Sequence, residues 1–111
     1  MNIYQIWCDL EDSSRDLEFS AGIRAFLGSL EKDGRISGFR LTRRKLGFGP
    51  PGLGEWSIAI EVEGLAQLDA AFGEVARRAG PVEELHRRIY SVARNVQFAL
   101  HRDFPDDVRE S

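Results

Sequence analysis

Apolar and polar residues alternate in four short stretches of the chain, and this period of two predicts four β-strands. The first stretch covers residues 3–10, and its apolar side consists of Tyr4, Ile6, Cys8 and Leu10. The others cover residues 36–46, 55–62 and 96–103. Each stretch is long enough to form a β-strand of ordinary length.

Two stretches between these strands repeat apolar residues every three or four positions, which predicts amphipathic helices. The first follows the N-cap candidates at 12–14, ends near Gly34 and carries Phe19, Ile23, Phe26, Leu27 and Leu30. The second ends at Gly80-Pro81 and carries Leu65, Leu68, Phe72, Val75, Ala76 and Ala79. A short extra helix is predicted near 82–90.

The order strand, helix, strand, strand, helix, strand predicts the ferredoxin-like βαββαβ fold of the α+β class. Its four-stranded antiparallel sheet has the order 4-1-3-2, and both helices cover one face. We expect one domain over residues 1–105 and an acidic, frayed tail over 106–111.

The helices leave the other face of the predicted sheet open, and the alternation of side chains indicates its composition. Trp7 lies near its middle, a histidine and an acid lie at one edge, and two arginines lie at the other. The full set is Gln5, Trp7, Asp9, Arg40, Thr42, Arg44, Ser57, Ala59, Glu61, Gln97, Ala99, His101 and Asp103. Such a face predicts a homodimer in which two sheets meet as a dimeric α+β barrel and enclose a ligand cavity. Arginines of one copy would pair with acids of the other.

Composition places the chain among soluble globular proteins, with 42% hydrophobic and 30% charged residues in a length of 111. The net charge of -3 argues against a nucleic-acid partner. No apolar run approaches the roughly 20 residues of a membrane span. The start of the chain lacks the pattern of a secretory leader, so a cytoplasmic location is expected. Cys8 stands alone, and its apolar surroundings predict a buried hydrophobe rather than a reactive thiol.

Residues 47–54 contain the pattern G-x-G-x-x-G at Gly47, Gly49 and Gly52. A dinucleotide-binding fingerprint has to follow a strand and open a helix. Here two prolines interrupt the pattern and a strand follows, so we interpret the segment as a long hairpin loop. Its Phe48 and Leu53 are available to pack on a neighbouring subunit.

The candidate ligand-binding residues lie on the open face: Trp7, Arg40, Arg44, Gln5, Asp9 and His101. Trp7 either stacks on a ligand or packs in a dimer interface. Arg40 and Arg44 either bind a carboxylate or phosphate or pair across the dimer. His101 is the candidate general base, with an exposed or dimer-bonded histidine as the alternative. His86 is interpreted as part of a solvated helix face. No metal and no cofactor are predicted.

Several segments resemble a small bacterial domain family of unknown function. They are residues 3–10, Arg15-Asp16-Leu17-Glu18-Phe19, Thr42-Arg43-Arg44-Lys45-Leu46-Gly47 with Gly49-Pro50-Pro51, and residues 98–105. The resemblance implies the fold of the dimeric α+β barrel superfamily. That superfamily includes cofactor-free monooxygenases of the antibiotic-biosynthesis type, haem-degrading relatives and stress-responsive barrels. None of their catalytic motifs matches this sequence.

The sequence therefore predicts a homodimer that binds a small organic molecule at its open sheet face, with an anion as the case that the arginines favour. One alternative is a cofactor-independent oxygenase or proton-transfer enzyme with His101 as base and Arg40 or Arg44 beside an oxyanion. The other is a structural or regulatory dimer with a packed interface and no ligand.

Overall fold

The computed structural model describes residues 1–76, 86, 87 and 89–106. Its elements are β1 (Asn2–Leu10), a 3₁₀ turn (Ser13–Arg15), α1 (Asp16–Lys32), β2 (Gly38–Arg43), β3 (Trp56–Val62), α2 (Leu65–Ala76) and β4 (Ala93–Arg102). All pairings are antiparallel and the strand order is β2-β3-β1-β4. The predicted ferredoxin-like fold and the order 4-1-3-2 are confirmed.

The 3₁₀ turn before α1 is capped by one of the residues that the sequence predicts, whereas α1 itself begins after Arg15 without a side-chain cap. The Asp12 carboxylate accepts a hydrogen bond from the Ser14 backbone N–H at 3.0 Å, which opens the 3₁₀ turn that leads into the helix. Gly34 adopts a φ of 73° after the last turn, and the Arg35 N–H returns to the carbonyl of Leu30 at 2.8 Å. The predicted apolar stripe of α1 is buried along its whole length.

The core lies between α1 and the central strands β1 and β3. Phe19 of α1 meets Trp56 of β3 edge to face, with ring centroids 5.1 Å apart. Cys8 is 2% exposed, and burial raises the pKa of its thiol to about 11. The prediction of a buried cysteine is confirmed.

The second helix covers less of the sheet than its sequence stripe suggests. Leu68 and Ala71 are buried, whereas Leu65 and Phe72 are largely exposed. The helix packs on β3, and Phe72 only touches Tyr4 of β1 edge to face, with centroids 5.3 Å apart. The apolar side of the edge strand β4 therefore stays partly open.

Two predicted segments fall largely outside the described residues. Within the predicted extra helix, residues 86, 87, 89 and 90 are helical. In the predicted tail, Asp106 forms an ion pair with Arg102 at 3.3 Å, and 107–111 lie outside the description, as do Ala79 and Gly80-Pro81. Among the described helices, none has the length and apolar character needed to cross a membrane.

Candidate functional site

The open face of the sheet carries the residues that the alternation predicts, in two central rows. One row across the sheet is Arg40, Ala59, Gln5 and Ala99, and the next is Thr42, Ser57, Trp7 and Gln97. Trp7 is half-buried. Gln5 has alanine on both neighbouring strands of its row.

Hydrogen bonds from its side-chain amide fix Gln5 in this face. Its Nε2 donates to Ser57 Oγ at 2.6 Å and to the Ile58 carbonyl at 3.3 Å. Both partners belong to β3, so the side chain bridges the two central strands and is fixed beside Trp7.

Asp9 lies at one end of the open face and organises the backbone around it. Its Oδ1 accepts from the Glu55 N–H at 3.0 Å, and its Oδ2 accepts from Asn95 Nδ2 at 3.0 Å. These two hydrogen bonds, the first above all, hold the pKa of the Asp9 carboxyl below its usual range. Asn95 also donates to the Gly52 carbonyl at 3.2 Å, which ties the hairpin loop to β4.

Asn95 occupies a β-bulge in β4. Trp7 pairs with Gln97 and Asp9 pairs with Arg94, so β4 holds one residue more than β1 between these pairs. Asn95 adopts a φ of 52°, in the left-handed region that asparagine tolerates better than most residues. The bulge lies beyond Gln97, and the composition of the two central rows is unaffected.

Arg44 points into the hairpin loop. Its Nη2 donates to the carbonyls of Leu53 at 2.7 Å and Gly54 at 3.3 Å. A methyl group built on Gly49 would overlap the Arg44 guanidinium, so a larger residue there would displace this side chain. The loop joins two antiparallel strands, which confirms that its glycine pattern is not a dinucleotide-binding motif.

The six predicted ligand-binding residues thus fall into three groups. Gln5 and Trp7 lie at the centre of the open face, Arg40 lies in the row of Gln5 but on the edge strand β2, and Asp9 and Arg44 lie together at the loop end. His101 pairs with Ile3 of β1, six residues from Asp9 along the strand, or about 20 Å away. Within one chain His101 and Arg44 do not share a site. A ligand-binding role for these six residues stays a prediction.

Two apolar cavities lie on the opposite face, between the sheet and the helices. One has a volume of about 290 Å³ and extends between α1 and the end of β4 that includes Val96. The other has a volume of about 300 Å³ and extends towards α2. Both are lined by Ile6, Phe26, Leu27, Ile60, His86 and Phe98. We call the two cavities together the cleft.

The walls of the cleft are almost entirely apolar and rich in rings. Tyr4 stacks on Phe98 with centroids 5.9 Å apart and an interplanar angle of 15°. His86 lies 5.4 Å from the Phe26 ring and 5.0 Å from the Tyr90 ring, measured between centroids. Burial raises the pKa of the Tyr4 phenol. At the mouth of the cleft Phe98 is 59% exposed.

The sequence interpretation of His86 as part of a solvated helix face is wrong. Its charged neighbours in the sequence suggested that face, but its ring is half-buried and packs on Phe26. The sequence of β4 carried a signal for this packing. Val96, Phe98 and Leu100 form an apolar side on this strand, and two helices are too few to cover all four strands of the sheet.

The part of the chain that the structure describes contains no cluster of metal-ligating side chains. No group of three or more histidine, cysteine, aspartate or glutamate side chains there is placed to hold an ion. The Asp9 carboxylate is instead engaged by an amide and a backbone N–H.

Comparisons with known proteins agree with the fold. A family model described as a family of unknown function, DUF6614, matches residues 1–111. The crystal structure of HapK from Hahella chejuensis superposes with a TM-score of 0.70 at 15% sequence identity, covering 96% of this chain and 95% of that one. This likeness shows the shared fold alone. No curated protein matches the chain.

Proposed function

The chain belongs to DUF6614, a family of unknown function, and we propose that it binds a small, predominantly apolar organic molecule in the cleft. One observation carries this proposal: two cavities of about 290 and 300 Å³ meet through six shared lining residues. Protein interiors are normally packed with few voids larger than a water molecule. An engineered apolar cavity of about 150 Å³ is enough to hold benzene, so each of these has room for a substituted ring.

Access to the cleft supports the same proposal. Phe98, Tyr90 and Phe72 line it and are also largely exposed. Contiguous exposed apolar side chains on a soluble protein usually mark an interaction site. A ligand entering between β4 and the helices would cover these rings and gain the free energy of their burial.

The first test is native mass spectrometry of the protein purified from its own host. A stoichiometric small mass is the expected result. The second test fills the cleft: Ala71→Leu and Ala93→Leu each add three carbons at its wall. Both variants should remain folded and lose the bound mass, since the added atoms occupy space that the ligand needs.

Ala59→Leu is the matched control, because Ala59 lies on the open face of the same sheet. It should retain the bound mass. If Ala71→Leu and Ala93→Leu unfold the protein while Ala59→Leu does not, the cavities are already filled by the chain. If all three variants keep the ligand, it binds elsewhere. Either outcome removes the cleft as the site.

Homodimerisation through the open face is the second candidate function, and the loop at its Asp9 end favours it. Leu46 and Phe48 are 79% and 81% exposed, and the hydrogen bonds of Arg44 close the loop that carries them. Four strands about 4.8 Å apart and about seven residues long span about 440 Å². A stable dimer buries about 800 Å² on each partner, which is more than the face of the sheet provides. Leu46 and Phe48 would supply part of the missing area.

The dimer is tested by light scattering on a size-exclusion column. We expect a dimer, and Leu46→Ser combined with Phe48→Ser should raise its dissociation constant about tenfold or more. Phe104→Ser removes another exposed aromatic ring and should have no effect. A wild-type monomer, or a dimer that ignores the double substitution, would contradict this interface. The predicted ligand site around Trp7, Gln5 and Arg40 requires such a dimer.

A further inference from the structure

The two central strands of the open face carry side chains of opposite size, and this asymmetry orients a second copy of the chain. We infer that two copies meet face to face around a two-fold axis that runs parallel to the strands, between β1 and β3. Each copy then places its β1 over the partner's β3 and its β2 over the partner's β4. This rests on the dimer proposed above and adds which side chains of the two copies meet.

In the two central rows the side chains on β1 are large and those on β3 are small. Trp7 pairs with Ser57, and Gln5 pairs with Ala59. The axis keeps each row and exchanges the two strands, so Trp7 faces the partner's Ser57 and Gln5 faces the partner's Ala59. Packed sheets lie about 10 Å apart, and large side chains opposite small ones fill that space. Ser57 Oγ and the Gln5 amide are already hydrogen-bonded to each other at 2.6 Å when the partner's indole covers them.

The edge strands continue the same match of large and small side chains. Arg40 on β2 and Ala99 on β4 belong to the row of Gln5, and the axis places Arg40 over the partner's Ala99. One row further along, Gly38 and His101 lie at the two edges of the sheet. His101 therefore faces the partner's Gly38, which has no side chain to obstruct it.

The charges of this outer row are complementary in the same arrangement. The carboxylate of Glu61 reaches over Gly38, where a Cβ would lie 3.3 Å from its Oε2. The partner's His101 stands opposite the same glycine and meets this carboxylate, to which an imidazole donates in its neutral and in its charged form. Because Glu61 leans towards β2, it also leaves room for the partner's Ile3, which the axis places over it. The two-fold symmetry makes each contact twice.

Two-fold axes that cross the strands fit this face less well. An axis through the row of Gln5 would place Arg40 over the partner's Arg40, and like charges that face each other oppose association. An axis between the two central rows would place Trp7 over the partner's Gln5 and Ser57 over the partner's Ala59. That arrangement crowds β1 and leaves a gap above β3.

The hairpin loops lie at the same end of both copies, because rotation about this axis leaves positions along the strands unchanged. The loop follows β2, and β2 lies over the partner's β4. Leu46 and Phe48 therefore extend towards the start of the partner's β4, near the partner's Arg94. Their contribution to the interface area is thus compatible with this orientation.

Cross-linking of Arg40 to Ala99 tests the axis. Within one chain these residues lie on opposite edges of the sheet, about 14 Å apart across three strand spacings, whereas the axis makes them face each other between copies. Arg40→Cys and Ala99→Cys are prepared separately in a Cys8→Ala background. After subunit exchange, a short bifunctional maleimide should link the mixture at least about tenfold faster than either variant alone, as read on a denaturing gel.

Exchange of the same two side chains gives an equilibrium test. Ala99→Arg places a second cation opposite Arg40 and should raise the dissociation constant of the dimer about tenfold or more, measured by light scattering on a size-exclusion column. Arg40→Ala combined with Ala99→Arg should restore the wild-type value, because each arginine then faces an alanine again. The distance within one chain excludes an internal origin of this rescue, and the rescue also shows that the arginine at position 99 is compatible with folding.

The possible failures are distinguishable. A monomeric wild-type protein would refute the dimer proposed above together with its orientation. If Arg40→Cys alone is linked as fast as the mixture, the open face forms the dimer but the axis crosses the strands. A dimer that gives no cross-link and ignores Ala99→Arg uses another surface. A dimer that Ala99→Arg weakens without rescue by Arg40→Ala would show that the two residues do not face each other.

Discussion

Arg44 donates through Nη2 to the carbonyl of Leu53, nine residues further along the chain, at 2.7 Å. The same nitrogen lies 3.3 Å from the Gly54 carbonyl. The side chain therefore joins the first residue after β2 to the last residues before β3. A loop that contains two prolines and four glycines is closed by one guanidinium.

Arg44→Gln should release this loop, because glutamine is shorter and carries no charge to strengthen the hydrogen bonds. We expect a loss of about 1–2 kcal/mol in the free energy of unfolding, measured by urea denaturation. Amide hydrogen exchange over residues 45–54 should become faster than in the wild type.

Arg40→Gln is the control for this substitution. Arg40 lies four residues earlier, within β2, and its side chain is exposed. Its replacement should leave both stability and exchange in the loop unchanged. Equal effects of the two substitutions would mean that charge on this face, rather than the Leu53 contact, holds the loop.

Glycines in this chain respond oppositely to a methyl group, according to their surroundings. A Cβ on Gly54 would lie 2.5 Å from the carbonyl carbon of Cys8 and 2.6 Å from its nitrogen. Gly54→Ala should therefore displace the loop from β1 and destabilise the protein by about 3 kcal/mol or more. Gly28 and Gly73 lie within α1 and α2 with open space at the Cβ position, and alanine there should add about 0.5–1 kcal/mol each. Thermal unfolding of the three variants gives the comparison. A stable Gly54→Ala protein would refute the close approach to Cys8.

The stability of the protein should fall in acid partly through Asp9. Its pKa is lower in the folded chain than its ordinary value, chiefly because the Glu55 N–H donates to it. The unfolded chain therefore takes up a proton at a higher pH than the folded one. The stabilisation is complete above about pH 4–5 and is lost as the pH falls through the folded pKa.

Asp9→Asn tests this acid dependence by urea denaturation between pH 7 and pH 3. The variant should be less stable than the wild type at pH 7, because Glu55 and Asn95 donate to different oxygens of the carboxylate and an amide has an NH2 group in place of one of them. The difference in the free energy of unfolding between the variant and the wild type should narrow as the pH falls. Asp69→Asn, on the exposed surface of α2, should show no such narrowing. If the difference in stability between Asp9→Asn and the wild type stays constant with pH, the hydrogen bonds of Asp9 stabilise the fold and its charge does not.

Cys8 gives the opposite pH dependence. Burial raises the pKa of its thiol from about 9 to about 11, so the unfolded chain ionises first as the pH rises. Its contribution to stability is complete below about pH 9 and falls by about 2 kcal/mol by pH 11.

The measurement for Cys8 is a comparison with Cys8→Ala across that alkaline range. The alanine variant should be less stable at pH 7, because it leaves a small void next to the core, and the difference should shrink by pH 11. The thiol should also resist alkylation at pH 8 until denaturant is added. Rapid alkylation of the folded protein would contradict its burial.

The sheet was predictable because alternation along a strand depends only on neighbouring residues. Once the strand order was inferred, the same alternation placed Gln5, Trp7 and Arg40 on one face, and the register confirms that placement. The bulge at Asn95 was not predictable, but it lies at the end of β4 and displaces none of these residues.

The contacts of Asp9 and Arg44 could not be predicted from the sequence, because they join segments that are distant in the chain or irregular in structure. Asp9 and Asn95 are separated by 86 residues, and no local pattern couples them. The cleft was missed for a different reason: it is a gap between elements, and patterns predict elements. Only the excess of apolar side chains on β4 over the helices available to cover them pointed to it.

Strand β1 forms a wall one backbone thick between the two surfaces. Ile6 and Cys8 line the cleft, and Trp7, which stands between them in the chain, projects from the other side into the central row of the open face. A molecule that fills the cleft presses on the strand that carries this half-buried indole, whereas the second indole, Trp56, is enclosed in the core. The protein therefore contains an intrinsic optical reporter, and the emission of Trp7 should shift when the opposite side of its own strand is occupied.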